Sequence, residues 1–112
     1  MPKYESVDEL FHALSTPTRR ATFERLCRRG AASASELAEP FDMALPSFMQ
    51  HLGVLEEAGL VRSEKQGRVR RFEACETPML TMSRWLDAQR ILWGRRLDQL
   101  DDYLEATFGE DR

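Results

Sequence analysis

The last third of this chain keeps an apolar rhythm for longer than a small protein can bury. Leu86, Gln89, Trp93, Leu97, Leu100, Leu104 and Phe108 follow one another at steps of 3, 4, 4, 3, 4 and 4 residues. That is the spacing of one helix face. Trp85, Leu92 and Tyr103 widen the stripe. A helix over residues 77–108 would run roughly 48 Å at 1.5 Å per residue. The whole chain has 112 residues, enough for one compact domain. Such a domain cannot cover a face of that length. Simple core packing is the plainer explanation of an apolar stripe, but length decides against it. The pattern predicts a homodimer in which the last helix packs against the first helix and against its own counterpart, with Leu86, Trp93, Leu97, Leu100 and Leu104 at the interface.

The rest of the composition sets bounds. Hydrophobic residues make up 42% and charged residues 31%, which suits a folded soluble domain rather than a disordered tail. No run of 18 apolar residues exists, so no membrane span is expected. The opening Met1-Pro2-Lys3-Tyr4-Glu5 has no apolar core of a secretory signal. Cys27 and Cys75 are too few for a disulfide scaffold, and a cytoplasmic protein is expected.

Proline and glycine punctuate the chain into a definite order. Helix 1 is expected over 7–14, with Ser6 as N-cap and Glu9 completing a capping box. Helix 2 spans 17–29, with Thr16 as cap, Pro17 in the first turn and Gly30 as the stop. A short helix 3 covers about 35–39, capped by Ser33 or Ser35 and ended by Pro40. Helix 4 starts near Ala44 or Leu45 and runs to about Ala58. Its Leu45, Phe48, Leu52 and Leu55 make one face to be buried. Gly59 closes it. Two charged β-prone runs then flank Gln66-Gly67, a hairpin signal. The fold class is therefore mainly α with a small β-hairpin: five helices and a two-stranded wing in one domain over residues 1–112. Short helix, turn, helix and ribbon is the winged helix-turn-helix order.

The net charge of −3 argues against a nucleic-acid partner until its distribution is examined. Residues 1–16 carry one base and three acids, for −2; residues 17–71 carry ten bases and seven acids, for +3; residues 72–112 carry five bases and nine acids, for −4. The ribbon is the most basic part. Arg62, Lys65, Arg68, Arg70 and Arg71 are offset by Glu64 alone within ten residues. A basic ribbon beside a helix-turn-helix suits phosphate contact, and its arginines suit the minor groove. Helix 4 would be the reading helix, with Ser47, Gln50 and His51 away from its apolar face. Glutamine can bridge adenine N6 and N7, and serine can meet bases or phosphate. Arg20, at the start of helix 2, is a further candidate for phosphate.

Other chemistries find no footing. Cys27, Cys75, His12 and His51 stand apart with no paired metal-ligand spacing, so no metal site is expected. No nucleophile elbow, glycine-rich phosphate loop or triad is present, so neither an enzyme nor a cofactor is expected.

Several of these segments look familiar together. Leu14-Ser15-Thr16-Pro17-Thr18-Arg19-Arg20, Ser35-Glu36-Leu37-Ala38, Leu52-Gly53-Val54-Leu55-Glu56-Glu57-Ala58-Gly59-Leu60-Val61 and the basic ribbon resemble ArsR-type winged-helix repressors over residues 6–108. The resemblance implies a homodimer joined through the first and last helices, with Leu10 and Phe11 of the first also at the interface, bound to an inverted-repeat DNA operator and usually repressing. It places the chain in the branch that does not sense metals, with Phe41-Asp42-Met43 before the reading helix. Ala44 and Met49 stand where the family often has serine, and Gln50 where it has lysine or arginine. Those departures imply an altered operator or greater reliance on the wing. Two alternatives are a thiol-responsive regulator using Cys27 or Cys75, and a protein-interaction module that has lost DNA binding. The effector is not legible.

Overall fold

A computed structural model of the chain describes residues 7–109. The elements run α1 (Val7–Ala13), α2 (Pro17–Arg29), β1 (Ala32–Ser33), α3 (Ala34–Ala38), α4 (Leu45–Glu57), β2 (Val61–Gln66), β3 (Val69–Ala74) and α5 (Thr77–Phe108). The fold is a mostly helical winged helix-turn-helix, as the sequence pattern requires. The expected Ser6 cap lies outside the described residues. Two compact units are present, one reaching to Met82 and one from Ser83 onward.

Local chemistry fixes the helix ends of the first unit. Thr16 accepts from the Arg19 backbone N–H, and Pro17 occupies the first turn of α2, where a missing N–H costs nothing. Helix α3 begins with a complete capping box. Ser33 Oγ accepts from the Glu36 N–H at 3.2 Å, and Glu36 Oε1 accepts from the Ser33 N–H at 3.1 Å. These bonds, the Ser33 backbone N–H first, hold the Glu36 carboxyl below the usual carboxylate range, with Arg71 and Arg25 adding to the effect.

The run from Leu55 to Leu60 closes α4 as a Schellman motif. The Leu60 N–H returns to the Leu55 carbonyl, and the Gly59 N–H returns to the Glu56 carbonyl, both at 3.0 Å. Gly59 takes φ +84° to do so, a value a Cβ would penalise. The turn delivers Leu60 and Val61 into the core, at 0% and 1% exposure. Around them pack Leu10, Phe23, Leu26, Leu37, Phe48, Leu52, Leu55 and Phe72.

Three details differ from the sequence expectation. Leu45 is 46% exposed and not part of the buried face of α4. It is the first residue of the helix, a full turn before Phe48 and Met49. The hairpin turn is Gly67-Arg68, because Gln66 pairs with Val69. Gly67 has φ +67° and Arg68 does not have positive φ, which places the glycine at the first position of a two-residue turn. Finally, the sheet has three strands in the order β1-β3-β2. The two-residue β1 pairs Ala32 with Phe72 and Ser33 with Arg71, which joins the start of α3 to the ribbon.

The first turns of α5 belong to the first unit, with Pro78 and Met82 buried. From Ser83 on, the helix forms the second unit. There Trp93, Leu97, Leu100 and Phe108 are 66%, 57%, 50% and 53% exposed. No helix among the described residues is long and apolar enough to cross a membrane.

Candidate nucleic-acid interface

Helix α4 is held by one face and open on the other. Phe48, Leu52 and Leu55 are buried. Phe41, in the turn between α3 and α4, stacks on Phe48 with ring centroids 5.6 Å apart. This aromatic contact fixes the angle at which α4 leaves the turn. Ser47 and Gln50 are exposed and His51 is half-buried. At positions i, i+3 and i+4 they share one side of the helix. Gln50 also borders a groove between α1 and α4 that includes Asp8, His12 and Val54. Leu45, expected on the buried face, and Met49 are 46% and 40% exposed and add an apolar line one turn long.

The ribbon sorts its charges by distance from the tip. Near its base Arg62 lies opposite Glu73, and Glu64 opposite Arg71. Arg62 and Glu73 form an ion pair, which raises the guanidinium pKa further. Arg71 donates to the Ala31 carbonyl at 2.8 Å and lies 3.8 Å from Glu36. It braces β1 and α3 against the ribbon. Arg70 donates to Ser63 Oγ at 3.0 Å, and that hydroxyl donates to Glu56 at 2.6 Å. This chain of bonds ties the ribbon to the last turns of α4.

Toward the tip the pattern reverses. Lys65 lies directly opposite Arg70, a like-charge pairing that destabilises an isolated ribbon. Lys65 and Arg68 are exposed, and among the described residues their side chains make no hydrogen bond or ion pair. Positive charge is thus left uncompensated where phosphate could neutralise it. Arg20 is exposed and donates to the Leu14 carbonyl at 2.8 Å.

Of the residues expected at the dimer interface, Leu10 is fully buried inside the first unit, while Phe11 is 37% exposed. Leu86, Trp93, Leu97, Leu100 and Leu104 are all exposed. Cys27 is exposed and Cys75 half-buried. Burial pushes both thiols up, and Glu24 adds to this at Cys27. A raised thiol has less thiolate and is less reactive, so these environments lend no support to thiol sensing. Among the described residues no three His, Cys, Asp or Glu side chains gather as a metal-binding group.

One residue at this site escaped the sequence reading. Arg19 is only 7% exposed. Its position on the stripe Arg19, Thr22, Phe23, Leu26, at helical spacing and all buried, is the signal that could have found it.

An open reading-helix face beside a basic ribbon defines a winged helix-turn-helix regulator of transcription. A helix-turn-helix domain model matches residues 14–64. The HTH-type transcriptional regulator Rv2034 of Mycobacterium tuberculosis is 35% identical over 111 residues, 99% of each chain. The transcriptional repressor SdpR of Bacillus subtilis is 28% identical over 80 residues, 71% of this chain and 88% of that protein. Among solved structures, the ArsR family transcriptional regulator RHA00566 is 50% identical, with a TM-score of 0.74 over 79% of this chain and 90% of that one. The chain belongs to the ArsR family of helix-turn-helix transcriptional regulators.

Proposed function

We propose that this regulator is a homodimeric repressor that binds an inverted-repeat operator. Ser47, Gln50 and His51 read the major groove, and Lys65 and Arg68 hold phosphate or the minor groove. Arg70 and Arg71 contribute positive field while bracing the ribbon, and Arg20 lies in reach of the backbone. Leu45 and Met49 supply apolar surface of the kind that meets thymine methyls. The observation that carries this reading is the unpaired charge at the ribbon tip, set beside an exposed polar face on α4. The bare apolar face of α5 supports the dimer. Two-fold symmetry would set two reading helices one DNA turn apart, about 34 Å. The name of the similar SdpR supports repression.

Selection of bound duplexes from random DNA tests the reading. It should return two inverted half-sites about 10 base pairs apart, and a reporter behind that sequence should fall silent when the protein is expressed. Enrichment of no sequence at low salt would overturn it and favour an interaction module.

A further inference from the structure

Arg19 does more than fill space in the core. Its Nε donates to the Ala13 carbonyl at 2.6 Å, and one terminal nitrogen donates to the His12 carbonyl at 3.1 Å. The same nitrogen reaches Ser15 Oγ at 3.3 Å. These acceptors belong to the last turn of α1 and the residues just after it, where helix carbonyls lack intrahelical partners and favour a cation. Its other terminal nitrogen lies 3.1 Å from His51 Nδ1. One guanidinium therefore closes the end of α1 and touches the reading helix.

The chemistry of that last bond is one-sided. A guanidinium has five N–H donors, no acceptor, and stays protonated in proteins. Nδ1 must then be the acceptor, with its lone pair toward Arg19. In a neutral ring the proton is left on Nε2. His51 Nε2 makes no hydrogen bond of its own within the described chain.

We propose that Arg19 is a positioning residue for DNA recognition: it fixes His51 as the Nε2–H tautomer, so that the ring meets DNA as a hydrogen-bond donor only. A donor can serve a phosphate oxygen, the N7 of guanine or adenine, guanine O6 or thymine O4, and is refused by the amino groups of adenine and cytosine. The pairing sets what His51 can read without Arg19 itself touching DNA. The DNA consequence rests on the function proposed above. The tautomer does not, and can be measured without DNA.

The test uses the full-length free protein at neutral pH, by long-range nitrogen-proton NMR of the histidine rings. Wild type should show His51 as the Nε2–H tautomer, and Arg19→Gln and Arg19→Lys should each change its ring nitrogen shifts. An Nδ1–H ring in wild type, or unchanged shifts in both variants, overturns the proposal. Two substitutions at position 51 then separate the ring's two ends. His51→Asn keeps an acceptor near the Nδ1 position and loses the outer donor. It should retain the wild-type melting temperature and bind operator about tenfold more weakly. His51→Gln keeps an outer donor and loses the inner acceptor, so it should melt lower and bind more tightly than His51→Asn. The reverse order overturns the assignment. Arg19→Lys should weaken operator binding with an unchanged slope of log K against log salt. A slope reduced by about one unit means that Arg19 itself neutralises a phosphate, and overturns the positioning role.

Discussion

In α4 the apolar stripe of Phe48, Leu52 and Leu55 is at 0%, 1% and 0% exposure, whereas in the second unit Trp93, Leu97 and Leu100 stand at 66%, 57% and 50%. Both helices carry apolar residues at the same spacing. The difference is length and supply. Thirteen residues of α4 find a core built by α1, α2, α3 and the sheet. Thirty-two residues of α5 outrun what a chain of this size folds around them. An amphipathic pattern thus says that a face will be covered, and not by whose side chains.

The strongest break of this comparison is the same deletion made in each helix. Leu52→Ala should cost about 2–5 kcal/mol of unfolding free energy at every protein concentration, measured by urea denaturation. Leu97→Ala should leave the first unit's stability within about 0.5 kcal/mol in dilute solution. If α5 is the dimer seam, Trp93→Ala should weaken association by about 2 kcal/mol, roughly 30-fold, in sedimentation equilibrium. Loss of stability independent of concentration in Leu97→Ala would place that residue in a core of its own chain.

A second pair concerns charge. Lys65→Ala with Arg68→Ala should flatten the slope of log K against log salt by about two units. Arg62→Ala, whose guanidinium is taken by Glu73, should change it by less than one.

Acid should act on the first unit through Glu36. Its carboxyl is held below its ordinary value of 4.5, so folding favours the charged form. That contribution is present above the ordinary value and is lost as pH falls through the folded one. Glu36→Gln, which can still complete the cap, should lessen the decline in melting temperature below about pH 4.5. The smallest effect is the sharpest comparison. A Cβ at Gly53 of α4 or Gly94 of α5 would meet nothing within 4 Å. Gly53→Ala should stabilise by about 0.4–1 kcal/mol. Gly94→Ala should match it unless a second chain lies against that side of α5, in which case association weakens.

Most of the fold was legible because its boundaries are chemical. Pro17, Gly30, Pro46 and Gly59 each sit where the backbone needs them, and the buried faces of α2 and α4 repeat at helical spacing. The less legible parts depend on partners distant in sequence. Nothing in Ala32-Ser33 signals a strand; it is one because Phe72 and Arg71 offer it a ladder. The ribbon's basic character could be counted, but which cations remain unpaired could not. That division follows from the register that sets Lys65 against Arg70 and Arg62 against Glu73. The spacing of Arg19 with Thr22, Phe23 and Leu26 could point to burial, but not to its partners His12, Ala13 and His51, which lie outside its helix.

The short strand β1 has a consequence for what DNA this protein would accept. It joins the root of the ribbon to α3, while Arg70, Ser63 and Glu56 link the ribbon's middle to α4. Helix α4 and the ribbon are clamped at two points, so the first unit offers a fixed caliper. Such a caliper would reject a duplex whose groove is too wide or too narrow, even when every base edge is correct. Sequences far from any contacted base would then be screened by their stiffness.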